Sequence, residues 1–68
     1  MSVYRVIDVI GTSPNTWEEA AKVAISTAGS SVRDLRIAEV IKQDVAVGDS
    51  GELLFRTKLQ LSFKYESA

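Results

Sequence analysis

The chain has 68 residues, 8 basic and 9 acidic, with neither cysteine nor histidine. That composition excludes disulfide staples, zinc sites built on nitrogen or sulfur ligands, and thiol or imidazole catalysis. The charges are interspersed and sum to −1, so there is no basic footprint for nucleic acid.

Size sets a second constraint. A domain this small buries only about 60% of the surface its unfolded chain exposes, which leaves little margin against conformational entropy. Self-association is the expected source of the missing stability, with an oxygen-ligated metal as a supplement. Residues 1–68 are expected to form one domain. No apolar run approaches the roughly 20 residues of a membrane span. No apolar leader precedes the first strand pattern, so the expected location is cytoplasmic, with no membrane partner.

In chain order, residues 3–10 (VYRVIDVI) are rich in Val and Ile and predict a strand, and the breakers of GTSPN predict the loop after it. Thr16 and Glu19 have the capping-box spacing, in which each side chain satisfies an orphan amide of the first turn, so a helix is predicted from Trp17. Trp17, Ala20, Ala21, Ala24, Ile25 and Ala28 then make one apolar face at helical period. Gly29 sits where a C-terminal cap belongs. The alanines allow close approach to a sheet, and Trp17 reads as a core or interface anchor.

Residues 36–47 form a β-branched-rich strand, and GDSG at 48–51 has hairpin-turn composition. The last strand, 53–65, alternates. Leu53, Phe55, Thr57, Leu59, Leu61, Phe63 and Tyr65 take one face; Leu54, Arg56, Lys58, Gln60, Ser62 and Lys64 take the other. The order is β-α-β-β. A helical crossover makes strands one and two parallel, and placing strand three between them makes every neighbour antiparallel. The expected fold is α+β: a three-stranded antiparallel sheet of order 1-3-2 packed on one helix. Its other face and both edges stay open, and repeats of the unit are expected to cover them. Arg56, Lys58 and Lys64 are expected to meet acids of neighbouring subunits there.

No catalytic constellation is signalled. Without His or Cys only Ser/Thr with Lys, or paired carboxylates, could serve, and no spacing points to either. Glu18 and Glu19 are adjacent on the helix, about 100° apart around its axis, and capping accounts for Glu19. GDSGE lacks the alternating acidic ligands of an EF-hand loop. The chain is read as a binding protein and not an enzyme.

A strand ending in Gly11-Thr12-Ser13, an Ala-rich amphipathic helix, then Ala38-Glu39-Val40 and a closing Ser62-Phe63 together resemble the dodecin family over essentially the whole chain. The resemblance implies β-α-β-β subunits in a hollow homododecamer of cubic symmetry that binds, stores or protects small ligands without turning them over. Flavin-binding members hold stacked flavin pairs near two-fold axes, between tryptophans, with a glutamine hydrogen-bonding the rings. Some bacterial members also bind coenzyme A.

Carried onto this chain, the stacking tryptophan falls at Ile37 and the glutamine at Arg56. With Glu39, these are the implied flavin-pocket positions. An isoleucine lacks the π-face that makes aromatic stacking worth about 0.5–1.5 kcal/mol beyond burial, and a symmetric site takes that loss twice. Arginine removes the amide acceptor and adds a charge. The chain looks like the subgroup lacking the tryptophan, one described member of which binds calcium.

Calcium takes about 6–8 oxygen ligands, more than any one short loop here offers, so several subunits or waters would have to contribute. The candidate ligands are Asp8, Glu18, Glu19, Asp44, Asp49 and Glu52. Asp44 aligns where some flavin-binding members carry a basic residue. The expected function is thus small-ligand binding and storage with an altered flavin pocket, calcium or another small ligand taking flavin's place. The alternative is a flavin (FMN or riboflavin) sequesterer of weak affinity.

Overall fold

A computed structural model describes residues 1–31 and 34–65; of the SSVRD stretch before the second strand, Val32 and Arg33 lie outside the described residues. The elements are β1 (Tyr4–Ser13), α1 (Trp17–Ser31), β2 (Leu35–Val47) and β3 (Leu53–Lys64). The sheet order is β1-β3-β2, and β3 pairs antiparallel with both neighbours. This is the expected β-α-β-β arrangement.

Element ends differ from the sequence reading. β1 continues through the breakers to Ser13, because Gly11, Thr12 and Ser13 find ladder partners in Thr57, Arg56 and Phe55. Pairing along a long central strand overrides local composition. Gly29 does not cap the helix, which runs on to Ser31. A left-handed residue follows instead at Asp34, φ 61°, and its carbonyl accepts a hydrogen bond from Lys64 N at 3.1 Å. The hairpin turn is closed by Gly48 N donating to the Glu52 carbonyl at 2.8 Å. Gly51 takes φ 84° there, a conformation that favours glycine.

The alternation of β3 separates the two faces of the sheet. Thr57, Leu59, Leu61 and Phe63 are buried under α1, which contributes Ala20 and Ala24. Ile7, Val9, Ala21, Ile25, Ala28, Leu35 and Ala38 pack around this core. The helix covers only part of it. Its 15 residues span about 22 Å, whereas the 12 residues of β3 span about 40 Å. Leu53 and Tyr65, at the two ends of the inner face, are therefore 48% and 58% exposed. Among the described residues no helix is long and apolar enough to cross a membrane.

Two glycines illustrate what the packing demands. A Cβ on Gly11 would collide with the Ala20 carbonyl and come within 2.9 Å of the Ala24 Cβ, whereas a Cβ on Gly29 would meet nothing within 4 Å. Gly11→Ala should therefore cost about 1–3 kcal/mol by overpacking. Gly29→Ala, in a helix interior, should stabilise by about 0.5–1 kcal/mol. Denaturant unfolding of the two variants checks both signs, and a tolerated Gly11→Ala would mean that α1 does not sit this close to β1.

Candidate functional site

The face of the sheet turned away from α1 is ordered in rungs across β1, β3 and β2. Val6, Ser62 and Ile37 share one rung, Asp8, Gln60 and Glu39 the next, then Ile10, Lys58 and Lys42, then Thr12, Arg56 and Asp44. Irregularities in β2 between Leu35 and Ile37 and between Val40 and Lys42 produce this arrangement. An extra residue at each point reverses which side chains face the open side. Without the second, Ile41 would oppose Lys58 and Asp44 would face the helix.

The last rung is tied to the helix start. Arg56 donates to Asp44 through Nε at 2.7 Å and Nη2 at 3.0 Å, a two-pronged ion pair. The indole Nε1 of Trp17 donates to the Asp44 carbonyl at 3.0 Å, and Thr57 Oγ1 donates to the Trp17 carbonyl at 2.9 Å. Trp17 also packs on Phe55, with ring centroids 5.1 Å apart and a tilt of 54°. Trp17 is thus a half-buried anchor between α1, β2 and β3.

The capping box is half-formed. Glu19 N donates to Thr16 Oγ1 at 3.0 Å as expected, but the Glu19 carboxylate accepts from Ser13 Oγ at 2.6 Å and Asn15 Nδ2 at 3.0 Å. Buried Ser13 in turn accepts from the backbone N–H groups of Asn15 and Thr16. The sequence gives Ser13 no such prominence, since its role depends on β1 running three residues further than its composition suggests.

The flavin-pocket positions are not brought together within one chain. Ile37 is 61% exposed, and its rung partner Ser62 lies six residues along β3 from Arg56, about 20 Å at strand rise. Arg56 was expected to meet an acid of a neighbouring subunit; its partner is Asp44 of the same chain, placed opposite it by the shifted register. Among the candidate metal ligands, Glu19 and Asp44 already hold hydrogen-bond partners. Glu18 is exposed at the helix start, and Asp49 and Glu52 are exposed around the hairpin turn. Asp8 lies mid-strand on the open face, with Glu39 on the far side of Gln60. Among the described residues no three Asp, Glu, His or Cys side chains cluster as a metal site.

A family model, Dodecin, matches residues 3–66. The chain belongs to the dodecin family. It is 54% identical over 68 residues to the calcium dodecin of Mycobacterium tuberculosis, covering 100% of this chain and 96% of that one. A crystal structure of the M. tuberculosis calcium dodecin, described as having a novel calcium-binding site, superposes with TM-score 0.89 at 52% identity, over 98% of this chain and 96% of that one. Dodecin from Streptomyces coelicolor superposes with TM-score 0.90 at 31% identity, over 98% of this chain and 96% of that one. The fold and strand order read from the sequence are those of the family.

The ion pair and the cap give this dodecin a defined response to acid. Hydrogen bonds from Arg56 lower the Asp44 pKa from its ordinary 3.8, and those from Ser13 and Asn15 lower that of Glu19 from 4.5. The folded state then binds fewer protons than the unfolded one, so both contributions are fully present above the ordinary values and are lost as pH falls through the lowered ones. Both groups are solvent-exposed enough for screening to keep the effect modest. Stability measured from pH 6 downward should fall below about pH 4.5. An Asp44→Asn/Glu19→Gln variant should show a shallower fall, and an unchanged slope would remove these two carboxylates as its cause.

Proposed function

We propose that this dodecin is a non-enzymatic, cytoplasmic homododecameric shell that binds calcium in place of flavin. The observation that carries the reading is the 54% identity along the whole chain to a calcium dodecin. The flavin positions agree with it. Ile37 offers an exposed aliphatic surface where stacking needs a flat aromatic. The guanidinium of Arg56 is already held by Asp44, so it does not replace a neutral amide that both donates and accepts.

Calcium asks for hard oxygen donors. Glu19 and Asp44 are the poorest candidates, since using either would break existing hydrogen bonds. Asp8, Gln60 and Glu39 share a rung and a face. They supply two carboxylates and an amide oxygen, which makes them the set a single subunit is best placed to offer. Water and a second copy would complete the coordination. No catalytic step is assigned to any of these residues.

Two experiments test the reading. Protein dialysed against chelator should bind calcium by titration calorimetry and unfold at a higher temperature with it. Asp8→Asn should weaken binding at least tenfold, about 1.4 kcal/mol, whereas Glu18→Gln should leave it unchanged. Absence of calcium binding would defeat the proposal; binding unaffected by Asp8→Asn would move the site elsewhere. The wild type should not quench riboflavin or FMN fluorescence at micromolar concentration, and Ile37→Trp/Arg56→Gln should gain quenching. Wild-type quenching would instead favour weak flavin sequestration.

A further inference from the structure

One rung of the open face is electrostatically incomplete. Lys42 and Lys58 stand directly opposite each other on β2 and β3, an arrangement that like charges make unfavourable. Arg56 is two residues along β3 from Lys58 and on the same face. Asp44 is committed to Arg56, and neither lysine is ion-paired among the described residues. Three cations and one carboxylate leave a local charge of about +2 beside the ammonium groups.

The shape accompanies the charge. Ile10, Lys42, Asp44, Arg56 and Lys58 line a depression of about 170 Å³, room for roughly five water volumes at ~30 Å³ each. A tetrahedral oxyanion fits that space. The confrontation of the two lysines is produced by the register shift between Val40 and Lys42, and such bulges commonly re-aim side chains at functional sites. The same shift places Asp44 where it fixes the Arg56 guanidinium with two hydrogen bonds. That fixed group loses little side-chain entropy when it meets an anion.

We propose that Lys42, Lys58 and Arg56 form an anion site for a phosphate-class dianion on the open face of the sheet. The lysines supply mobile point charges, Arg56 a pre-oriented planar donor, and Asp44 acts as its positioning residue. The bound dianion offsets the Lys42–Lys58 repulsion, so binding and stability are linked. The site does not rest on the calcium reading, because a local positive charge repels calcium.

The test uses the intact assembly, freed of calcium by chelator and dialysed into chloride. Inorganic phosphate, titrated against chloride at matched ionic strength, should bind the wild type and raise its unfolding temperature. Lys42→Gln/Lys58→Gln should bind at least tenfold more weakly and show no such rise. In phosphate-free buffer this variant should be at least as stable as the wild type, because it lacks the repulsion. Adenosine monophosphate set against adenosine separates the two sources of the chemistry. A monophosphate that binds more tightly than inorganic phosphate identifies the phosphate of a larger ligand, and equal binding identifies the free anion. Three results would overturn the proposal: no response to phosphate at millimolar concentration, equal responses of wild type and variant, or a variant that loses its assembly in phosphate-free buffer. The last would mean that the lysines are paired with carboxylates of a second copy.

Discussion

Everything on the sheet takes its position from β3. Among the described residues it is the one strand hydrogen-bonded on both sides, so its alternation decides which side chains of β1 and β2 are buried and which stay open. The inner set, Thr57, Leu59, Leu61 and Phe63, is closed by a helix that gets near enough only because Gly11 has no side chain facing Ala20. The outer set, Arg56, Lys58 and Gln60, receives its partners by register alone. β1 presents Asp8, Ile10 and Thr12 in unbroken sequence, whereas β2 must insert residues to present Glu39, Lys42 and Asp44.

The two irregularities in β2 therefore connect fold to chemistry. Without the shift between Val40 and Lys42, Asp44 would turn toward α1, into the region where Trp17 meets Phe55. A carboxylate there would lose solvation and its Arg56 partner together, a cost of several kcal/mol for an unpaired buried charge. With the shift, the Asp44 side chain pairs with Arg56 in partial solvent while its backbone carbonyl still accepts the Trp17 indole N–H. One residue thereby ties the helix start to the sheet and orients a guanidinium on the opposite face.

The parts of this architecture that follow from periodicity were legible in the sequence. The alternation along β3, the Ala-rich face of α1 and the helical crossover that makes the first two strands parallel were together sufficient for the order 1-3-2. The rest depended on non-local pairing. Nothing in the composition of residues 35–47 marks a bulge, since each is one extra residue in a run that reads equally well as regular strand. The Asp44–Arg56 pair and the Lys42–Lys58 confrontation were hidden for that reason. Glu19 was identified as a capping residue, but its carboxylate turned to Ser13 and Asn15, which β1 brings within reach by continuing past its apparent end. Gly29 misled in the opposite direction, because a glycine with a free Cβ position is tolerated inside a helix that tertiary packing already stabilises.

The open side has its own division of labour. Exposed apolar side chains are spread over both faces: Val6, Ile10 and Ile37 share the open face with the charged rungs, 48%, 52% and 61% exposed, while Val47, Leu53 and Tyr65 are left uncovered at the ends of the helix face, 70%, 48% and 58% exposed. Burial of apolar surface is non-directional and yields about 25 cal/mol per Å², whereas charges add orientation and selectivity more than binding energy. In the proposed shell these apolar side chains would provide the adhesion between copies. The central rungs would be left to discriminate among ions, the Asp8–Gln60–Glu39 row as the proposed cation site and the Lys58–Lys42 row beside it as the proposed anion site. Two adjacent rungs of opposite preference can coexist because each is only partly desolvated and solvent screens their mutual attraction. A change of one residue in the β2 register would turn Glu39 and Lys42 toward the helix and take one member from each row. The charge pattern of this face is thus a property of the register before it is a property of any single side chain.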